Sequence, residues 1–532
     1  MATLASRPVR VVGGHPTSFA EVRARRSHRL WIRRVDIAVV GIAATLVGAL
    51  GAGTPSFWYD EAASVASANR PVPDLLRLLG TVDAVHGLYY LSLHVWFGIV
   101  GISEWTARMP SVLAVGIAAA GVVVLGYLVG DRGLALTSGV VFAILPRTTW
   151  AATEARSSAW TMVAAVWLTI LLVTALGRPS VPRWVGYALG VAASVVLFLY
   201  SGTLVAGQLV AVLLLAWRRF GPALLAAVAG VAATVPFVQL TVAERAQVEW
   251  IPALDGRVTG NMLRDQWFLD STVGAVAAWL LVAVAVVLAM GSSVVRLLDG
   301  RRLRGPSSAT RLAGPCAVLP PALLLGWSLA TTPAYLDRYV AFTAPFAAML
   351  LGTAALRVAR RPRWVAALVA ALALAFLPSY VGQRGEFGKP VGMDYSAAAD
   401  VLVARAAPGD CVLYGAASWN PTTLRIVGAA RPDAVSGLVD VGRARAAAAA
   451  GSFWDEPLPL DRIRFGSCGT VWLVTDADRA ETTSVERPTG ETFTLAANRA
   501  ADTPEYRAAV AAGLHETDRT TLNLSQVIRF AR

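Results

Sequence analysis

The stretch Phe57-Trp58-Tyr59-Asp60-Glu61-Ala62 follows closely on the first long apolar run of the chain, residues 35–53. A run of that length crosses a bilayer, so these six residues emerge at a membrane surface, on the side opposite the N-terminus. Residues 1–34 are basic, carrying Arg7, Arg10, Arg23, Arg25, Arg26, Arg29, Arg33 and Arg34. Positive charge stays on the cytoplasmic side. The tail therefore reads as disordered cytoplasmic chain before a signal-anchor span rather than a cleaved leader. Asp60 and Glu61 then read as outside. Two adjacent carboxylates among aromatics fit a solvated loop as well as a reactive centre, and the stretch alone does not decide.

The rest of the chain extends the same pattern. Of its 532 residues 56% are hydrophobic and only 15% charged, with mean hydropathy +0.56; soluble domains are less apolar. Further runs at 105–130, 134–146, 159–176, 184–200, 204–217, 222–240, 273–290, 312–330, 340–356 and 364–380 bring the expectation to about eleven spans. The run at 88–101 is short and reads as interfacial or re-entrant. Were it a full span, with the others kept, the arginine-rich loop 296–311 would turn outward against the positive-inside rule. The net charge of +13 does not point to nucleic acid, because the arginines cluster in short loops where topology puts them. The partner they imply is the bilayer. Lys389 is the only lysine, a bias that suggests a GC-rich genome such as an actinobacterium's.

The expected organisation is a basic cytoplasmic tail (1–34), a transmembrane catalytic domain (35–381) with external loops 54–105 and 241–270, and an extracytoplasmic α/β domain (382–532). In the last part apolar runs shorten to strand length at 411–414, 471–474 and 527–530, between helix-like stretches 396–407 and 504–513. Cys411 and Cys468 both fall there. A disulfide and two buried thiols fit equally, because spacing does not fix distance. Cys316 lies in a span and reads as a small apolar filler.

Several polar islands reach the same face as Asp60 and Glu61. Residues 71–79 read as a short amphipathic helix along the membrane surface. His86, in Asp83-Ala84-Val85-His86-Gly87, sits where the first loop re-enters the membrane. Glu154 and Arg156 mark the outer end of one run, and Arg338 with Tyr339 the start of another. Outer arginines run against the topological trend, and a guanidinium suits phosphate oxygens. The bland readings are interfacial ion pairs and snorkelling side chains. His86 and His94 lie too far apart along one helix to share a metal. The combination suits a carboxylate base with cationic donors holding a phosphate leaving group.

In these motifs the chain resembles the GT-C superfamily of membrane glycosyltransferases, in particular the branch with protein O-mannosyltransferases and lipid A aminoarabinose transferase. The resemblance rests on Asp60-Glu61 after the first span, His86-Gly87-Leu88-Tyr89-Tyr90, Ser103-Glu104-Trp105-Thr106-Ala107-Arg108-Met109-Pro110-Ser111, Glu154-Ala155-Arg156-Ser157 and Arg338-Tyr339 before Pro345. It implies inverting transfer of a sugar from a polyprenyl-phosphate donor to an acceptor at the outer face of the plasma membrane; in a GC-rich actinobacterium the sugar would be mannose first and arabinofuranose second, and the acceptor a glycan, lipoglycan or protein. Asp60 would be the base, with Glu61 sharing or replacing it. Arg156 and Arg338 would bind the donor phosphate, and Glu154 would orient Arg156 or the sugar. His86-Gly87 stands where many relatives have two prolines. Relatives that need a metal usually show two acids separated by one residue, so the adjacent pair here predicts no cofactor and no resident metal.

Two other classes compete. A transporter or flippase would carry charged or broken helices at mid-membrane. A non-catalytic assembly or sensor protein would leave Asp60 dispensable.

Overall fold

The computed structural model describes residues 19–298, 307–388, 391–466, 468–486 and 492–532. The chain is a helical bundle with a β-containing C-terminal part. The first helix runs Phe19–Ala49. Residues 19–34 are thus helical rather than disordered: arginine is a good helix former, and the apolar run that follows extends the same helix. Residues 1–18, with Arg7 and Arg10, lie outside the described residues, as do residues 299–306 of the arginine loop 296–311. Val39, Ile42 and Leu46 form an exposed apolar stripe on this helix, the surface a lipid-facing helix presents. Asp36, an acid in an apolar stretch, accepts from Arg132 Nε and Nη2 at 2.8 Å and from Tyr127 OH.

Among the described residues, seven helices are long and apolar enough to cross a membrane. An eighth results if Arg132–Ile144 and Pro146–Ala152, bent by 60° where they meet, form one span. Pro146 causes that bend, since it forces Leu145 out of the helical region to φ −64°, ψ 129°. The eleven expected spans differ from this count for local reasons. The first, at 35–53, is not among the seven, because Arg33, Arg34 and Asp36 fall within the last 18 residues of its helix, Phe19–Ala49. Residues 199–232, read as two runs, form one helical stretch broken by a 3₁₀ turn at Trp217–Arg219. Val181–Leu197 has only 17 residues. The 88–101 run forms Gly87–Val100, 14 residues long, which at about 1.5 Å per residue falls short of a bilayer core of about 30 Å. The Glu104–Val129 helix is central and packs on Phe19–Ala49, Arg132–Ile144 and Ser158–Gly177. Gly116 makes the first contact possible, because a Cβ there would lie 1.9 Å from Thr45 Oγ1.

The C-terminal part holds a five-stranded mixed sheet. Its strands are β1 (Cys411–Tyr414), β2 (Val439–Asp440), β3 (Thr470–Asp476), β4 (His515–Thr521) and β5 (Ser525–Ala531), in the order β2-β1-β3-β5-β4. β1 runs parallel to β2 and β3, while β5 runs antiparallel to β3 and β4. Side chains alternate between faces. Val412, Tyr414, Trp472, Val474 and Val527 join one core with Phe57, Trp58, Leu75 and Tyr90 of the helical part. Cys411, Leu413, Leu473, Ile528 and Phe530 build a second core. β4 is polar and mostly exposed, an edge strand that apolar patterning could not reveal.

Cys411 and Cys468 form a disulfide. It spans 57 residues, so opening it should lower stability by about 4 kcal/mol in the loop-entropy account. Calorimetry of detergent-solubilised protein with and without dithiothreitol measures this, and an unchanged Tm would count against the bond.

Candidate functional site

The site starts from the short helix Tyr59–Ala68, which carries Asp60 and Glu61 in its first turn. Acids are favoured there by the helix dipole. Successive residues on a helix point about 100° apart, so the two carboxylates diverge. Glu61 turns into the protein and is fully buried. It accepts from Arg108 Nε at 2.7 Å, from Arg108 Nη2 at 2.6 Å and from the Ala155 amide at 2.8 Å. Arg108 also donates to the carbonyls of Ala52 (2.9 Å), Pro55 (2.7 Å) and Ser56 (3.2 Å), which uses every N–H of its guanidinium. This pair ties the chain after the first helix to the helix at 104–129.

Asp60 turns the other way, into a cavity it shares with His86, Glu154, Arg156, Arg338 and Tyr339. Six of the seven predicted site residues, drawn from four separate stretches, thus meet at one place. Glu61 is the one that does not. Trp150, Ser157, Thr161 and Phe198 complete the lining. The cavity is tight, about 40 Å³.

Arg156 Nη1 donates to Tyr90 OH at 3.0 Å and lies 3.4 Å from both Ser64 Oγ and the Asp60 carbonyl. Tyr90 OH in turn donates to the Asp83 carboxylate. Burial works against the Arg156 charge, yet Tyr90, Asp60 and Asp83 hold its pKa above the ordinary value. Arg338 stacks on Trp250 at 5.3 Å and on Tyr339 at 5.8 Å. Its neighbour Asp337 forms a buried ion pair with Arg147, which also donates to the Gln266 carbonyl at 2.9 Å. That pair anchors the turn presenting Arg338. Glu154 is buried, and its carbonyl accepts from Ser111 Oγ at 2.6 Å.

His86 is buried, with Nδ1 3.3 Å from Ser157 Oγ and its ring stacked on Phe198 at 6.0 Å. Burial first, and Arg156 second, push its pKa well below the usual 6.5. The imidazole is therefore neutral at pH 7 and offers a hydrogen bond, not a charge. The linkage has a definite sign. Below pH 6.5 the unfolded chain binds a proton here that the folded chain refuses, so stability falls as pH falls. His86→Gln should flatten the stability profile between about pH 6.5 and 5, as followed by thermal unfolding across that range. An unchanged slope would count against the buried neutral form. His94 lies elsewhere, its Nδ1 2.9 Å from the Ala68 carbonyl.

A second cavity, about 610 Å³, opens between the helices Gly87–Val100, Glu104–Val129, Ser158–Gly177 and Val181–Leu197. Its walls are apolar, with Leu93, Trp96, Trp160 and Trp167 among them. It adjoins the polar cavity, because Trp160 and Leu197 line one and their chain neighbours Thr161 and Phe198 the other.

Sequence reasoning assigned no role to Arg108, Arg147 or Asp337. Their signal was present, since an ionisable residue at or within an apolar run is costly unless paired. Trp150 and Phe198 carried none, as aromatics are common throughout the apolar runs.

No protein-family model matches this chain, and no curated protein matches it by sequence. Solved structures match its fold. The crystal structure of ArnT from Cupriavidus metallidurans in the apo state aligns with a TM-score of 0.55 at 12% identity, covering 94% of this chain and 98% of that one. The crystal structure of ArnT from the same organism bound to undecaprenyl phosphate aligns with a TM-score of 0.50 at 13% identity, covering 87% and 99%. At this identity the likeness is one of fold alone: the chain has an ArnT-like architecture of apolar helices with a β-containing C-terminal part.

Proposed function

We propose that this chain is a membrane glycosyltransferase that moves a sugar from a polyprenyl-phosphate donor to a glycan, lipoglycan or protein acceptor of the cell envelope. The observation that carries the reading is the meeting of Asp60, Arg156 and Arg338 at one cavity beside an apolar groove. The groove has the chemistry to take the polyprenyl chain. One structure sharing this fold is of ArnT bound to undecaprenyl phosphate, which supports a polyprenyl phosphate as the ligand class here.

The reaction is a direct displacement. Asp60 takes the proton of the acceptor hydroxyl as its oxygen bonds to the anomeric carbon. The bond from that carbon to the phosphate oxygen breaks, and polyprenyl phosphate leaves with the electron pair. Arg156 and Arg338 neutralise the charge that develops on it, and neutral His86 adds a hydrogen bond. Glu154 orients Arg156 or the sugar. The tight cavity has to open for a sugar to enter. The disulfide is typical of an oxidising compartment, and the arginine distribution supports a site on the same, extracytoplasmic side of the plasma membrane.

The test is transfer of labelled mannose from polyprenyl-phosphate mannose by membranes carrying the chain, with polyprenyl-phosphate arabinofuranose as the second donor. Transfer from either fixes the donor. Transfer from neither, with no binding of undecaprenyl phosphate, rejects the reading. Because two guanidiniums neutralise the leaving group, EDTA should leave the rate unchanged. A loss restored by Mg²⁺ or Mn²⁺ would show that a metal is required.

A further inference from the structure

The C-terminal sheet shares its inner core with the segment that carries Asp60, and polar contacts grip that segment on both sides. Before the helix, the Phe57 amide donates to Ser396 Oγ at 3.1 Å and the Ser396 amide donates to Ser56 Oγ at 2.9 Å. Beside Asp60, Trp454 Nε1 donates to Tyr59 OH at 3.1 Å, with the rings 5.4 Å apart. Beyond the helix, Arg70 Nη2 donates to the carbonyls of Ser452 at 2.6 Å and Phe453 at 2.9 Å, and Thr81 Oγ1 donates to the Gly451 carbonyl at 2.8 Å. Arg77 Nη1 reaches the Ala448 carbonyl at 3.1 Å. The loop 447–454 is therefore fastened along the segment 59–81.

The Tyr59–Ala68 helix needs such support. Its N-cap residue, Trp58, makes no side-chain cap, and uncapped first turns fray. A base must also sit within a fraction of an ångström of its working position. Neither Tyr59 nor Trp454 has a chemical task in the displacement.

We propose that the C-terminal part positions Asp60 for reaction, through the contact of Trp454 with Tyr59 at the end of the 447–454 loop. This rests on the reading of Asp60 as the base. Tyr59 and Trp454 are positioning residues, holding the first helical turn without touching the reacting atoms.

The test uses full-length Trp454→Phe and Tyr59→Phe, each of which removes one partner of the hydrogen bond and keeps a ring. With the donor that supports transfer, kcat should fall roughly ten- to a hundredfold in each at unchanged donor KM, and the double variant should be no slower than the slower single. Amide hydrogen exchange over residues 56–66 should quicken, with exchange in Glu104–Val129 unchanged. An unaltered kcat, a donor KM rising in step with the loss, effects that multiply in the double variant, or unaltered exchange would each overturn the proposal. If the wild-type chain neither transfers sugar nor binds undecaprenyl phosphate, the glycosyltransferase reading fails alone, and hydrogen exchange still decides whether Trp454 holds this turn.

Discussion

Asp60→Asn is expected to lower sugar transfer by about a hundredfold or more, the loss that follows removal of a general base. The substitution keeps the size and the hydrogen-bonding reach of the side chain and removes only its basicity. Its backbone carbonyl, which lies 3.4 Å from Arg156 Nη1, is untouched. Binding of undecaprenyl phosphate should therefore stay at the wild-type level while transfer disappears. Two measurements on the same preparation are needed, labelled sugar transfer and undecaprenyl phosphate binding. Equal transfer from wild type and variant would remove Asp60 as the base. Loss of both transfer and binding would place Asp60 in donor recognition instead.

The second large effect falls on folding. Arg108→Ala strands the buried Glu61 carboxylate and three backbone carbonyls, while Glu61→Ala strands a fully buried guanidinium. Breaking a buried ion pair by removing one partner costs about 3–5 kcal/mol, whereas replacing both with apolar residues of similar volume is often close to neutral. Each single variant should give a sharply reduced yield of folded protein in detergent and a lower Tm. The double variant Glu61→Leu with Arg108→Met should recover part of the loss, although the carbonyls of Ala52, Pro55 and Ser56 remain unsatisfied. If Arg108→Ala folded like wild type and lost transfer alone, the pair would belong to the chemistry.

These two predictions separate adjacent residues that read alike in sequence. Asp60 and Glu61 are both acids, both follow the first apolar run, and both fit a base. Helical rotation sends one into the cavity and the other to Arg108, and that depends on which face of a short helix meets the bundle. Asp60, His86, Glu154, Arg156, Arg338 and Tyr339 were legible because polar groups beside long apolar runs stand out. Arg108 was quoted as part of a motif and Arg147 passed without notice, because the value of each lies in a partner distant in sequence. The cysteine pair stayed undecided for the same reason. β4 went unseen because an edge strand needs no apolar face.

What the sequence by itself determined is the membrane character, the order of the apolar helices and the change to strand-length runs after residue 381. Burial of apolar side chains is a local property, repeated many times, and needs no knowledge of distant contacts. Only the tertiary structure decided that four stretches meet in one cavity, that Glu61 is a strut, that Cys411 and Cys468 bond, and that Ser396 and the loop 447–454 hold the segment around Asp60. Each of those depends on one contact between residues far apart in the chain, and such a contact forms only when packing brings its two partners within bonding distance.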